Sequence, residues 1–200
     1  MNQVEFFFDV SSPWTFFAGV RIEEFCARNN AELIWKPFLV GGVFNKVNPS
    51  VYLRRDNPVP PKDNYYQKDM RDWGRYLNIA MIKPDVFPLN SVKALRGAFV
   101  AIDEGTISAY TRACFEAYWC HNRDISQETE LREIVCAVGM DDEKFFECIA
   151  QDHYKKKLFE TTDDLIARGG FGSPTFFLNG DDMYFGNDRL ELMQAAIDRA

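Results

Sequence analysis

Residues 6–18 of the chain read FFFDVSSPWTFFA, and this stretch decides the fold because it joins a strand to a helix. Residues 4–8 form a short, aromatic and β-prone run, which predicts a buried strand. Ser12 before Pro13 is typical of a helix start, with serine as the N-cap and proline at the first helical position, where no N–H is needed. Apolar residues then recur at helical spacing until the asparagine pair at 29–30. We therefore predict a strand, a tight loop and a helix in direct succession.

The chain outward from this helix changes character twice. Residues 31–37 (AELIWKP) alternate in polarity and predict a second strand, so the opening is β-α-β with parallel strands. Residues 38–61 contain two glycines and four prolines, and we expect irregular chain there. Helical patterning then dominates and indicates an inserted bundle. The predicted helices cover residues 65–77, 91–103, 108–119, 128–138 and 142–149.

The last part of the chain returns to mixed structure. A helix over residues 154–168 precedes a strand at 175–178 (TFFL). Asn179-Gly180 is a hairpin turn signal, and residues 183–185 form the returning strand. Leu190, Met193 and Ile197 mark one face of a final helix. The predicted order is β-α-β, helical insert, α-β-β-α, which is an α/β fold.

Composition excludes several classes of function. A net charge of -7 argues against binding to nucleic acid or to an anionic membrane, so an anionic ligand needs a local positive site. No apolar run is long enough to cross a bilayer, and the sequence starts without a basic leader. We therefore expect a cytoplasmic protein. The 18 phenylalanines predict a core or pocket rich in aromatic rings.

The cysteines and histidines offer little material for metal or hydrolase chemistry. The cysteine number is odd, no CxxC pair occurs, and the spacing suits neither zinc nor a disulfide framework. We expect reduced, mostly buried thiols in a cytosol-like compartment. The two histidines, His121 and His153, form no metal-like cluster and leave no basis for a Ser-His-Asp hydrolase. The five cysteines are Cys26, Cys114, Cys120, Cys136 and Cys148.

Four motifs together resemble the DsbA-like branch of the thioredoxin fold, and within it the 2-hydroxychromene-2-carboxylate isomerases and kappa-class glutathione transferases. The motifs are residues 6–18 (FFFDVSSPWTFFA), 36–42 (KPFLVGG), 171–178 (FGSPTFFL) and 185–190 (FGNDRL). The resemblance in element order covers the full chain and implies a thioredoxin-like domain with an inserted all-helical domain. It places the discontinuous thioredoxin-like domain at residues 1–38 and 155–200 and the helical insertion domain at residues 39–154.

The resemblance also implies a role for Ser12. In the redox members, cysteines occupy the positions of Ser12 and Thr15. Both are missing here, which argues against disulfide exchange of the DsbA kind. The family's alternative is a serine that stabilises the thiolate of bound glutathione. A hydroxyl donor and a helix N-terminus both favour a thiolate over a thiol. The other interpretation is that Ser12, not its neighbour Ser11, only caps the helix.

Further glutathione contacts follow from the same resemblance. Ser173-Pro174 resembles the cis-proline site, whose backbone pairs with the cysteinyl backbone of glutathione; an edge-strand proline is the alternative. Asn187 and Asp188 resemble the γ-glutamyl contact, although both residue types also open helices for their own sake.

The remaining implied contact is with the glycyl carboxylate. Lys62 resembles the kappa-class lysine, with Asn57 as a nearby polar contact, and an ordinary solvated lysine is the alternative. Four aromatic residues could wall an aromatic substrate site or simply pack in the core: Trp14, Phe38, Phe44 and Tyr65.

The resemblance implies a glutathione-dependent isomerase acting on an aromatic or unsaturated 2-oxo acid. The alternatives are a kappa-like transferase that conjugates electrophiles and a non-catalytic glutathione-binding protein. The expected partners are a small electrophilic substrate and a second copy of the chain in a homodimer, with no nucleic acid, membrane or metal.

Overall fold

The computed structural model describes residues 1–199, and its centre is a four-stranded mixed sheet. The strand order is β2-β1-β3-β4. Strand β1 runs parallel to β2 and antiparallel to β3, and β3 is antiparallel to β4. This arrangement confirms the predicted β-α-β opening and the closing hairpin. The strands are β1 (Asn2–Phe8), β2 (Ala31–Pro37), β3 (Thr175–Leu178) and β4 (Asp182–Phe185).

Helices connect the second and third strands, as the sequence predicts. The first helix lies between β1 and β2 in the chain, and the last helix follows β4 after a short 3-10 turn. The helices are α1 (Pro13–Arg28), α2 (Val40–Val47), α3 (Ser50–Asp56), α4 (Pro60–Tyr76), α5 (Val92–Asp103), α6 (Ile107–Trp119), α7 (Glu128–Ala137), α8 (Asp142–Ala150), α9 (Asp152–Ala167) and α10 (Leu190–Ile197), with the 3-10 turn at Asn187–Arg189. The predicted α/β fold with a helical insert is confirmed.

The prediction of irregular chain over residues 38–61 is wrong, because two helices, α2 and α3, lie there. The glycines and prolines of this segment are compatible with helices because of where they lie in them. A Cβ at Gly42 would lie 3.3 Å from the Thr162 side chain, so this glycine allows α2 to approach α9 closely. Pro49 is the N-cap of α3, and α4 begins with Pro60. Proline at a helix start breaks no hydrogen bond, so it starts these helices instead of preventing them.

Alternation along β1 builds two aromatic layers. Phe6 and Phe8 face the main core, where Phe6 stacks on Phe176 with ring centroids 5.2 Å apart. Phe7 points to the opposite face and packs edge-to-face on Phe38 at 6.3 Å. Because successive side chains of a strand point to opposite faces, one FFF run fills both layers. The expectation of a core rich in rings is confirmed, and Phe38 belongs to that core.

The main core cluster is shared between the sheet and the helical insert. It joins strand residues such as Val4 to helix residues such as Leu95 and Tyr118. The Trp119 indole Nε1–H also donates to the Val10 carbonyl across 3.0 Å, which ties α6 to the loop before α1. The division into residues 1–38 with 155–200 and residues 39–154 stays a prediction.

Two further features bear on the sequence predictions. Asn179 and Gly180 have φ values of 52° and 98°, so the turn between β3 and β4 uses two left-handed residues, as expected of an Asn-Gly hairpin. Among residues 1–199, no helix combines the length and apolar character needed to span a membrane. No group of three or more potential metal ligands occurs in this same part of the chain.

Candidate active site

Ser12 lies at the N-terminal tip of α1, and its side chain makes two hydrogen bonds. Its Oγ accepts from the Thr15 backbone N–H at 3.3 Å, which confirms that Ser12 is the N-cap. The same hydroxyl donates to the Ser173 carbonyl oxygen at 3.1 Å. The hydroxyl proton therefore points away from the helix and towards the loop before β3. Ser12 caps the helix and also faces this loop.

The peptide bond between Ser173 and Pro174 is cis, as the family resemblance implies. Hydrogen bonds hold the Ser173 side chain from two sides. Its Oγ accepts from the Asp9 N–H at 3.0 Å and lies 2.7 Å from the Thr15 Oγ1. The Ser173 backbone N–H has no acceptor anywhere in residues 1–199. The loop thus offers one unpaired N–H, and one carbonyl bonded only to a hydroxyl.

Asp9 is a buried carboxylate behind this loop. Its Oδ1 accepts from the Ser11 N–H and its Oδ2 from the Val40 N–H, each at 2.9 Å. Burial raises the pKa of Asp9, and the hydrogen bonds from Ser11, Val40 and Ser91 oppose that rise. Asp9 therefore fixes the loop before Ser12 to the start of α2.

Sequence reasoning missed Asp9 and Thr15 as parts of the site. Both have relative accessibilities of 0%. A signal for Asp9 was present, because an acidic residue directly after a buried strand and three residues before an N-cap needs partners for its carboxylate. For Thr15, the sequence gives no hint that its hydroxyl meets Ser173, because the two are 158 residues apart.

Asn187 and Asp188 open the 3-10 turn before α10. Asn187 is only 4% exposed, and its Nδ2 has no hydrogen-bond partner among the described residues. The Arg21 guanidinium of α1 donates to the Asn187 carbonyl, which joins this turn to the helix that carries Ser12. Asp188 is exposed and forms an ion pair with Arg189 at 2.6 Å. Asn187 thus offers an unsatisfied donor next to a carboxylate.

Gly186 explains the FGND motif at this turn. Its φ of +113° is a conformation that L side chains rarely adopt. A Cβ at this position would lie 2.8 Å from the Asp188 Oδ1. Glycine therefore allows the turn and makes room for the Asp188 carboxylate.

Lys62 lies in the first turn of α4 and lines a cavity of about 480 Å³, hereafter the Arg54 cavity. The Trp14 and Tyr66 rings meet edge-to-face with centroids 5.4 Å apart, and the Arg54 guanidinium lies 5.7 Å from the Tyr66 ring. Aromatic contacts therefore connect the first turn of α1 to the cavity. Its lining residues are Arg54, Pro61, Lys62, Tyr65, Tyr66 and Asp69.

The other predicted residues have different surroundings. Asn57 is the C-cap of α3, and its Nδ2 donates to the Leu53 carbonyl of the same helix at 3.4 Å. It does not line the Arg54 cavity. Phe44 packs edge-to-face on Tyr52 at 6.3 Å. Of the four candidate wall residues, Trp14 and Tyr65 are those that border or line the cavity.

The two buried thiols of the chain are poor nucleophiles, and position 12 itself carries a hydroxyl and not a thiol. All five cysteines are free, two of them are buried, and Cys136 is exposed. Burial raises the pKa of Cys26 to about 12 and that of Cys114 to about 12. A thiol with such a pKa is protonated near neutral pH. A sulfur nucleophile at Ser12 would therefore come from a bound molecule.

Comparison with known proteins assigns the family. The family model for the DSBA-like thioredoxin domain matches residues 3–198. The chain belongs to the DSBA-like thioredoxin family. A probable DsbA oxidoreductase from Streptomyces coelicolor has a similar structure, with a TM-score of 0.84 at 16% identity, covering 100% of this chain and 89% of that one. This DSBA-like chain carries Ser12 as the N-cap of α1 and Thr15 in its first turn.

Relatives of this DSBA-like chain include two kinds of enzyme. A 2-hydroxychromene-2-carboxylate isomerase from Pseudomonas putida is 27% identical over 199 residues, covering 98% of this chain and 94% of the relative. Human glutathione S-transferase kappa 1 is 26% identical over 205 residues, covering 95% and 88%. A solved structure of a 2-hydroxychromene-2-carboxylate isomerase has a TM-score of 0.82 at 24% identity, covering 98% and 95%.

Proposed function

We propose that this chain is a glutathione-dependent isomerase that acts on an aromatic or otherwise unsaturated 2-oxo acid. Its relatives over nearly the full length are isomerases and kappa-class transferases, so it is an enzyme of one of these kinds. The observation that carries the proposal is the Ser12 hydroxyl, which lies at the positive end of α1 and faces the Ser173 backbone.

The residues present fit glutathione at three points. The Ser173 N–H and carbonyl would pair with the cysteinyl backbone, as one strand pairs with another. Asn187 Nδ2 and Asp188 would bind the γ-glutamyl carboxylate and ammonium, and a buried donor without a partner costs about 1–3 kcal/mol unless something accepts from it. Lys62, which lines the Arg54 cavity, would bind the glycyl carboxylate.

Ser12 would lower the pKa of the bound thiol. A free thiol has a pKa of about 8.5 and is mostly protonated at neutral pH. Lowering this pKa by about two units requires an interaction that favours the thiolate over the thiol by about 2.7 kcal/mol. A hydrogen bond to a charged group supplies about 1.5–3 kcal/mol and a helix terminus about 0.3–1 kcal/mol. The Ser12 hydroxyl and the α1 N-terminus together therefore suffice.

The Ser12 proton would change its acceptor when a peptide binds. In the free protein this proton is donated to the Ser173 carbonyl. A peptide N–H that pairs with the same carbonyl competes for it, which leaves the Ser12 hydroxyl available to a sulfur at the helix tip. Thr15 and Asp9 keep the Ser173 side chain fixed during this exchange, because both bond to its Oγ.

Bound glutathione would supply a thiolate that adds reversibly to a conjugated carbon, permits rotation about the former double bond and then leaves, so that it is recycled. The chain's residues bind and orient the reactants. Trp14 and Tyr66 form an aromatic wall beside the helix tip, suited to a planar substrate.

The test is incubation of the protein with glutathione and a cis-configured aromatic 2-oxo acid. The expected result is the trans isomer with free glutathione undiminished, measured by chromatography and thiol titration. A stable conjugate with matching loss of free thiol would support the kappa-like transferase instead. Glutathione binding without turnover across a panel of electrophiles would support a non-catalytic binding protein.

A further inference from the structure

We propose that Arg54 recognises a carboxylate on the second substrate, so that the enzyme selects anionic electrophiles over neutral ones. The proposal rests on the proposed function and adds a specificity residue to it. The site is the Arg54 cavity, whose volume of about 480 Å³ lies within the usual range of small-molecule sites, roughly 300–1,000 Å³.

Two positively charged side chains line the Arg54 cavity. Arg54 and Lys62 both line the cavity, and neither forms a salt bridge with any carboxylate in residues 1–199. An anionic ligand needs such a local site, because the chain as a whole carries 30 Asp and Glu against 23 Lys and Arg. Two unpaired cations that face one cavity create a local positive site, which an anion would occupy.

Asp69 is the acidic residue of this cavity. It lies seven residues after Lys62, two turns along α4, and it pairs with neither cation. The pKa of Asp69 is raised by its burial and by the neighbouring carboxylates of Asp188 and Asp72. Asp69 therefore has other carboxylates as electrostatic neighbours, and the positive charge of the cavity lining comes from Arg54 and Lys62.

An aromatic contact orients the Arg54 side chain. Its guanidinium lies 5.7 Å from the Tyr66 ring, and Tyr66 meets Trp14 edge-to-face. A guanidinium over a ring keeps its N–H donors free for a planar carboxylate, which it binds through two parallel hydrogen bonds. Helix α3 has no buried residue, so Arg54 contributes little to the core.

Glutathione and an anionic second substrate would together bring more than one carboxylate to this cavity. Glutathione brings one glycyl carboxylate, for which Lys62 suffices as a point charge. A second, bidentate cation in the same cavity matches a second carboxylate, and Arg is better suited than Lys to such planar recognition. Trp14 follows Ser12 by two residues. The aromatic ring of a substrate packed against Trp14 and Tyr66 would therefore lie between the helix tip and Arg54.

Arg55 provides a matched control. It lies on the same helix with the same charge, but its guanidinium faces a different set of rings. These are Phe44 at 5.9 Å, Tyr52 at 5.9 Å and Phe87 at 5.3 Å. Loss of Arg55 changes the net charge as loss of Arg54 does and leaves the cavity lining intact.

The experiment is calorimetric titration of the protein with trans-cinnamate and with its neutral amide, cinnamamide, at saturating glutathione. Wild type is expected to bind cinnamate at least about tenfold more tightly than cinnamamide, because one charged pair is worth that factor. Arg54→Gln should remove this preference and leave the affinities for cinnamamide and glutathione within about threefold. Arg55→Gln should keep the preference.

Two outcomes overturn the inference. An unchanged preference for cinnamate in Arg54→Gln removes Arg54 from the site. A loss of about tenfold in glutathione affinity in the same variant assigns Arg54 to the glycyl carboxylate instead. A second titration without glutathione separates this inference from the proposed function. An Arg54-dependent preference for cinnamate in a protein that binds no glutathione supports the cavity and refutes only the proposed function.

Discussion

The Ser12 hydroxyl donates a hydrogen bond to the Ser173 carbonyl oxygen across 3.1 Å, although the two residues are 161 positions apart. This bond joins the tip of α1 to the cis-proline loop. It also pairs two groups that the proposed function needs separately, a donor for a sulfur and an acceptor for a peptide N–H. Peptide binding at Ser173 and release of the Ser12 hydroxyl are therefore one coupled event in the proposed mechanism.

Replacement of Ser12 tests the hydroxyl as the thiolate donor. Ser12→Ala should bind glutathione within about tenfold of wild type but lose the ultraviolet thiolate absorbance of the complex near neutral pH, because one charged hydrogen bond is lost. The variant should also lose about 0.5–2 kcal/mol of unfolding free energy, because Ser12 is the N-cap of α1. Difference spectra and urea unfolding measure the two effects.

Two control variants separate capping from catalysis. Ser12→Asp keeps a good N-cap and should preserve stability, yet its negative charge should disfavour the thiolate. Ser11→Ala changes the neighbouring hydroxyl and should retain the thiolate signal. A normal thiolate signal in Ser12→Ala would remove Ser12 from the mechanism, whatever the stability of the variant.

Lys62→Gln tests the glycyl carboxylate contact. We expect glutathione affinity to fall about tenfold, since the ion pair between Lys62 and the glycyl carboxylate is lost. The affinity for γ-glutamylcysteine should stay the same, since that dipeptide has no glycyl group. Lys68→Gln, on the same helix but paired with Asp72, is the control. Equal losses for the tripeptide and the dipeptide would contradict the assignment.

Asp188→Asn tests the γ-glutamyl ammonium contact. Removal of the carboxylate should weaken glutathione binding by about tenfold and have less effect on a ligand whose α-amino group is acetylated. Asp181→Asn removes the same charge from the exposed β3–β4 turn and serves as the control. Calorimetry with both ligands measures the difference. If Asp188→Asn binds glutathione as wild type does, the contact is elsewhere.

Local patterns were sufficient to predict most of the fold. The FFF run, the Ser-Pro helix start and the Asn-Gly turn each determine their structure within a few residues, and each was predicted correctly. The helices in segment 38–61 were not predicted, because the role of Gly42 is to allow close contact between α2 and Thr162 of α9. A glycine that breaks a helix and one that admits a neighbouring helix look the same in sequence.

The candidate site was predictable only in part. The Ser-Pro pattern is a local feature and predicted Ser12 as an N-cap, whereas the cis bond before Pro174 was implied by the family resemblance. Contacts between distant segments were not predictable. The bond between Thr15 and Ser173, and the placement of Arg54 against Tyr66, depend on how α1, α3 and the cis-proline loop pack together.

Asp9 provides a test through stability and pH. Its folded-state pKa is raised by burial above the unfolded value of about 3.9, so the folded protein holds this proton more tightly than the unfolded chain does. The Asp9 contribution to the unfolding free energy is therefore fully present below the unfolded pKa and is lost as the pH rises through the folded pKa.

Asp9→Asn should remove this part of the pH dependence, because an amide does not titrate. The amide keeps one acceptor and turns its NH₂ towards the second backbone N–H, so we expect a cost of about 1–3 kcal/mol in acid. The difference between wild type and variant should shrink as the pH rises, because ionisation then weakens only the wild type. Urea unfolding across the acid range, with Asp198→Asn as an exposed control, measures this difference. A difference that is constant with pH would show that burial of Asp9 does not shift its proton affinity.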